Sequence, residues 1–172
     1  MKDQDTKYYG EAVAIAAQSF EQGNYPVGAV LTIDGKLVGA KGNTGISSKS
    51  YINHAETSLV IEHAKLLFSS SSKGQKIELI STLEPCLMCL GVAVMNKVDR
   101  IVYLQSDPHG GACRLDPSSL GVRYSEIWPE IIYDKEYSSQ PKQLILRFLQ
   151  NQIDSGSSVE WSKRMIELFT NS

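Results

Sequence analysis

Cys86 and Cys89 stand three apart directly behind Pro85, in the stretch STLEPCLMCLGVAVM that begins at residue 81. Any fold of this chain has to give that pair a purpose. A redox couple, a structural zinc clip and a catalytic metal site can all be written C-x-x-C, and each needs different company from the rest of the chain. The spacing alone leaves all three open.

A chain of 172 residues suits one domain with a proper core. At 42% apolar and 21% charged residues, the composition is that of an ordinary globular protein. The longest apolar runs, such as GVAVM and AVAIAA, are too short to cross a bilayer. The opening MKDQDTKYYG is polar and mixed in charge, unlike a secretory leader, so a cytoplasmic location is the default expectation. Three cysteines make an odd number, which argues against a disulfide framework and towards metal or thiol chemistry. Net charge is −2, the pI is about 5.9, and no Lys/Arg run stands out. That balance lowers the expectation of a nucleic-acid partner, which a basic patch would raise.

Helix-type spacing of Tyr9, Val13, Ala16, Ala17 and Phe20 predicts a first helix over 8–22, stopped by Gly23 and Asn24. VGAVLTI and KLVGAKGN flank Asp34-Gly35, a strong hairpin signal. Residues 44–53 read as a polar loop. A second helix is expected over 55–68, burying Val60, Ala64 and Leu67, with SSSSKGQ (69–75) as a surface connector. KIELIST is a third strand. The helix expected over 85–97 is apolar nearly all round and so should be buried on several sides. DRIVYLQ is a fourth strand and EIIYD a fifth. Between them, 106–129 reads as long loops with a short helical turn, and helices follow over 140–153 and 158–170. Without a linker or repeat, the expectation is a single domain over 1–172 with a helical extension from about 138. Strands alternating with helices behind an opening hairpin predict an α/β sandwich with a mixed sheet.

Cys86 and Cys89 fall where the third strand gives way to the third helix. Pro85 suits a helix start, and both thiols would then occupy the first turn. The electropositive helix N-terminus favours thiolate over thiol. The rest of a zinc site should include a histidine, and the chain has three: His54, His63 and His109. His54 stands just ahead of the second helix, and Glu56 follows two residues later. A His/Cys/Cys set leaves zinc an open fourth position, the mark of a catalytic site, whereas structural sites fill all four. Water there is acidified towards neutral pH, and Glu56 becomes a proton carrier. H-x-E followed by P-C-x-x-C is the signature of zinc deaminases.

H-A-E at 54–56 with P-C-L-M-C at 85–89 resembles the cytidine deaminase superfamily. Within it, PVGAV, GN and TLEPCLMC look most like the branch of tRNA-specific adenosine deaminases and guanine deaminases, and the similarity runs from about Tyr9 to Asp107. The resemblance implies a three-layer α/β/α sandwich around a mixed five-stranded sheet. It also implies that His54, Cys86 and Cys89 hold Zn2+. Glu56 would take a proton from the attacking water, deliver it to a ring nitrogen and then pass one to the leaving ammonia. Asn43 matches an asparagine that hydrogen-bonds the base. Pro26, Val27 and Gly28 match a segment lining the pocket floor. Asp107 falls where the family contacts the sugar or a neighbouring nucleotide. Glu84 belongs to the motif without a separate chemical step. A homodimer is a further implication.

Blander roles stand beside these. Cys86 and Cys89 also fit a thiol-redox pair, or a closed zinc site completed by Cys113; otherwise Cys113 is a loop or core thiol. His63 lies nine residues beyond His54, on the opposite side of the helix, and reads as a packing histidine. His109 is a surface-loop or pocket-mouth residue. Asn43 and Asp107 also suit turns, and Trp128 and Trp161 read as packing residues. The segment SDPHGGACRLDPSSLGVRY and the weakly basic helix VEWSKRMIELF depart from the tRNA-editing pattern. With the acidic pI they favour a free base or nucleoside over adenosine in tRNA as substrate. The segment and the C-terminal helices are expected to close over the pocket or to build an oligomer contact.

Overall fold

The computed structural model describes residues 6–171. Residues 1–5, within the polar opening, and residue 172 lie outside the described residues. Five strands form one sheet: β1 (Gly28–Ile33), β2 (Lys36–Gly42), β3 (Ile77–Ser81), β4 (Arg100–Tyr103) and β5 (Glu130–Tyr133). Their order is β2-β1-β3-β4-β5. β1 runs antiparallel to β2 and β3, whereas β3, β4 and β5 are mutually parallel. The hairpin forms where expected. Asp34 and Gly35 take φ of 50° and 71°, the two positive φ values that a type I′ turn demands.

The helices are α1 (Tyr9–Glu21), α2 (Ala55–Ser72), α3 (Leu87–Met95), α4 (Val122–Ile127), α5 (Ser139–Asp154) and α6 (Val159–Thr170). Successive strand residues point to opposite faces, and the two faces make separate cores. Val30, Ile80 and Val102 join Tyr9 and Ala12 of α1. Ala29, Leu31, Leu79 and Ile101 join Leu59, Val60 and Leu67 of α2 and Leu90, Ala93 and Val94 of α3. These are the three layers α/β/α. α5 packs on α1, and α6 on α5. Glu78, Arg100 and Glu130 sit in register across β3, β4 and β5, and Arg100 bonds Glu78 at 2.7 Å, so opposite charges alternate across the ladder.

Three local expectations change. α1 buries Tyr9, Ala12, Ala16 and Ser19 and leaves Val13 and Phe20 half-buried. Small side chains form the inner face because β1 comes close: a Cβ on Gly28 would strike the α1 backbone at Ala12 and Ala16. α2 continues through Ser72, so the serines 69–72 are helix. Ser70 is buried, and the stop is Gly74 at φ 70°. Pro85 precedes the N-cap Cys86 and does not open α3; its carbonyl accepts the Ala112 N–H. α3 buries Cys89, Leu90, Ala93 and Val94 and exposes Leu87 and Met95.

Candidate active site

β3 ends at Ser81, and the chain passes through Thr82–Cys86 into α3, next to the start of α2. Ligands in open α/β sheets bind beyond the carboxyl ends of parallel strands, and the candidate ligands gather there. His54 is the N-cap of α2 and Cys86 the N-cap of α3, with Cys89 in the first turn. His54 Nδ1 lies 3.5 Å from Cys89 Sγ and 3.7 Å from Cys86 Sγ, and the sulfurs are 3.5 Å apart. Around tetrahedral zinc, with Zn–S of about 2.3 Å and Zn–N of about 2.0–2.1 Å, sulfurs fall about 3.8 Å apart and sulfur and nitrogen about 3.6 Å apart. The donor set therefore fits that ion in spacing and chemistry. Among the described residues, His54, Cys86 and Cys89 form the one His/Cys/Asp/Glu cluster able to hold a metal, and Cys113 is not in it. The completion that a closed structural site requires does not come from Cys113.

The electrostatics suit a metal. Hydrogen bonding from Cys89 holds the Cys86 thiol down at about 4, with His54 adding to the effect against burial. The same bond pushes the Cys89 thiol up, helped by burial and the Glu56 charge. Hydrogen bonding to Cys86 raises His54. Both sulfurs have to bind as thiolates, so a divalent cation displaces protons from the pair. Thr57 Oγ1 contacts Cys89 Sγ at 3.3 Å and fixes that side chain.

Glu56, in the first turn of α2, is 3% exposed. Its Oε1 accepts a 2.9 Å bond from Ser81 Oγ, and its Oε2 lies 3.5 Å from Cys89 Sγ. Burial raises its carboxyl above the usual carboxylate range, and the Ser81 bond and His54 pull the other way. The cavity beside it is lined by Val27, Asn43, His54, Glu56, Cys86 and Asp107, among others. Its wall includes neither Pro26 nor Gly28; Pro26 is buried, and Gly28 is placed by its packing on α1. Asn43 has two jobs: Oδ1 accepts the Gly45 N–H at 2.8 Å, and the residue also lines the cavity. Asp107 likewise caps the His109 N–H at 2.9 Å while facing the cavity. His63 bonds the Leu59 carbonyl through Nδ1 at 3.0 Å, as a packing histidine should.

Sequence reasoning missed Tyr25, Trp161 and Met165, which line the cavity; His109 lines it too, in keeping with its pocket-mouth alternative. Trp161, read as a packing residue, is instead 39% exposed in that wall, near the rings of Tyr25 and His109. No local pattern marks it, because it arrives on α6 from the far end of the chain. Glu84 also gains a role. Its buried carboxylate accepts N–H bonds from Asp107 and Cys113 and a hydroxyl bond from Ser106, tying down the 106–113 loop. A Cβ on Gly111 would collide with that carboxylate.

An α/β/α domain that joins a three-donor cluster and a buried carboxylate at two converging helix starts is of the zinc deaminase class. Residues 2–105 match the family described as the cytidine and deoxycytidylate deaminase zinc-binding region, and the chain belongs to that family. Zinc is the metal of that region. A tRNA-specific adenosine deaminase of Bacillus subtilis is 36% identical over 108 residues, 63% of this chain and 66% of that protein. The chain thus spans just under two thirds of that relative. A tRNA-specific adenosine deaminase of Aquifex aeolicus is 32% identical over 124 residues, 69% of this chain and 81% of that protein. Among solved structures, a tRNA deaminase that performs A-to-I editing at the wobble position superposes with a TM-score of 0.62 at 25% identity, covering 81% of this chain and 99% of that one. A guanine deaminase of Nitrosomonas europaea superposes with a TM-score of 0.63 at 18% identity, covering 81% of each chain, a likeness of fold alone. Among the described residues no helix is long and apolar enough to cross a membrane.

Proposed function

We propose that this protein is a zinc-dependent hydrolase that removes the exocyclic amine of a purine or pyrimidine base, as free base or nucleoside, and releases ammonia. The observation that carries the reading is the placement of Glu56 beside the His54, Cys86 and Cys89 cluster, inside one cavity. His54, Cys86 and Cys89 would hold the ion, and bound zinc supplies water acidified enough to attack near neutral pH. Glu56 would take a proton from the attacking water and give it to a ring nitrogen as the C–O bond forms. It would then take the proton of the new hydroxyl and give it to the amine, which leaves as ammonia when the C–N bond breaks and the C–O bond becomes a carbonyl. One carboxylate serves both directions because burial favours its protonated form while Ser81 stabilises the charged one. Asn43 offers its amide N–H to the base, Val27 walls the ring, and Asp107 stands at the rim.

Adenosine within tRNA is a second reading, supported by the activities named for the curated relatives. Trp161 and Met165 in the cavity wall, with the acidic pI, support the smaller substrate. The reading includes one domain over 1–172 with a C-terminal extension that walls the pocket, and a homodimer. Support for the homodimer comes from exposed Ile61 and Phe68 on α2 and Leu87 and Met95 on α3, two helices packed together. Three free thiols support a reducing, cytoplasmic setting. The test is an ammonia-release screen over bases, nucleosides, nucleotides and a tRNA anticodon stem-loop, with and without chelator. Turnover should require the metal and vanish in Glu56→Ala while that variant keeps its zinc. A Glu56→Ala protein that still turns over removes Glu56 from the mechanism. Metal-independent disulfide reduction instead identifies a redox module.

A further inference from the structure

The cavity at the metal cluster measures about 220 Å³. Sites for drug-sized ligands measure about 300–1,000 Å³, so this one has room for a bare heterocycle and little more. A second cavity of about 410 Å³ lies next to it. Tyr25, Asn43 and His54 stand in both walls, and so separate the space beside Glu56 from the larger space outside it. Two of the three are committed elsewhere. His54 is a metal donor candidate, 3.5 Å from Cys89 Sγ. Asn43 accepts the Gly45 N–H through Oδ1, and its own N–H bonds the Val27 carbonyl at 2.9 Å. Tyr25 has neither task and carries the largest side chain of the three.

We propose that the Tyr25 ring is the specificity-determining partition of this site: it confines the substrate to a free base by closing the way to the second cavity, where the sugar of a nucleoside would find room. The proposal rests on the deaminase reading above and narrows it from base or nucleoside to base.

The partition is held from below and from the side. Pro26 restricts the backbone of the residue before it, and the Tyr25 carbonyl accepts the Val27 N–H at 2.8 Å across that proline. Asn24, fully buried, ties the same segment at two points. Its N–H donates to the Ser19 carbonyl at 2.8 Å, and its Oδ1 accepts the Ser47 N–H at 2.9 Å.

The Tyr25 ring meets the edge of Phe148 on α5, with centroids 5.2 Å apart at 85°, and lies 6.4 Å from the ring of Trp161 on α6. Edge-to-face pairs of this kind are favourable beyond the area they bury. A ring on a fixed backbone, packed against two others, gives up those contacts if it swings aside. Forcing extra bulk into such packing disfavours the larger ligand by about tenfold to a hundredfold. Both supporting rings come from beyond residues 2–105, so the tail of this chain fixes a partition that the matched region carries.

The experiment measures kcat/KM for adenine, guanine and cytosine and for their ribonucleosides, with an RNA stem-loop as a further arm, in the zinc-loaded wild type and in Tyr25→Ala and Tyr25→Phe. The base that turns over should exceed its ribonucleoside by about a hundredfold in the wild type. In Tyr25→Ala the ribonucleoside kcat/KM should rise about tenfold, a gain that damage to the fold does not give. Tyr25→Phe keeps the ring and should keep the wild-type ratio. Tyr25→Leu, which retains an apolar side chain against Phe148, carries the test where Tyr25→Ala does not fold. A wild-type ratio near one, a stem-loop that outperforms the base, or a ribonucleoside kcat/KM no higher in the shortened variant overturns the proposal. Calorimetric titration reads the partition without turnover: the base should bind the wild type more tightly than its ribonucleoside does, and ribonucleoside binding should tighten about tenfold in Tyr25→Ala. No ammonia from any substrate, with that binding pattern intact, sinks the deaminase reading and spares the partition. Ammonia released equally from base and ribonucleoside in the wild type does the reverse.

Discussion

Ser81, the last residue of β3, donates a 2.9 Å hydrogen bond to Glu56 Oε1 at the start of α2. A strand end thereby holds the carboxylate that two helix starts surround. The bond lowers the Glu56 carboxyl against the upward push of burial. Ser81→Ala removes that restraint, so the carboxyl rises further and Glu56 is protonated at higher pH. The acid limb of the kcat/KM profile should move to higher pH, and kcat should fall about tenfold, the scale of a hydrogen bond to a charged group. Zinc content should be unchanged. An acid limb that stays put in this variant shows that Ser81 does not tune Glu56.

Metal affinity should fall as the solution is acidified. His54 is raised, chiefly by its hydrogen bond with Cys86, and Cys89 holds its proton strongly. Both must lose protons to bind metal. A raised ligand pKa means that protons compete from a higher pH downward, so affinity drops as pH falls through the raised His54 value. Competition with a chromophoric chelator across pH 5–8 should show the apparent dissociation constant increasing steadily towards the acid end.

Glu84→Ala strands the N–H groups of Asp107 and Cys113 that now bond its carboxylate. Each abandoned buried donor costs about 1–3 kcal/mol, so urea unfolding should show a loss of about 3 kcal/mol. Glu84→Gln keeps acceptor capacity on its amide oxygen and should lose clearly less. Equal losses in the two variants break the link between this carboxylate and the loop. Gly111→Ala should resemble Glu84→Ala, since the added methyl meets the same carboxylate.

Trp161→Ala should raise KM several-fold with a smaller change in kcat. The ring forms part of the wall and stands apart from the metal ligands and Glu56, so its loss removes binding shared by ground and transition states. Steady-state kinetics on the preferred substrate measures the split. A loss confined to kcat argues that the ring acts on the chemistry itself.

The parts of the site legible in the sequence were those written in short-range patterns. Asp34-Gly35 announces its turn through local backbone preference, and His54, Glu56, Cys86 and Cys89 announce a metal because their chemistry is rare and their spacing tight. Ser81, Tyr25, Trp161 and Met165 carry no such mark; only the three-dimensional path of the chain brings them to the cavity. The serines 69–72 mislead for a related reason. Their own helical preference is weak, and burial of Ser70 with the stop at Gly74 decides the matter. Asn43 and Asp107 show that turn-capping and cavity-lining roles coexist in one side chain, so posing them as alternatives divided what the fold unites.

The arrival of Trp161 on α6, outside residues 2–105 that match the family, has an evolutionary corollary. His54, Glu56, Cys86 and Cys89 lie inside that stretch, whereas Asp107, His109, Trp161 and Met165 bring part of the cavity wall from beyond it. Mutation in the tail can then reshape that part of the wall and leave the metal cluster as it is.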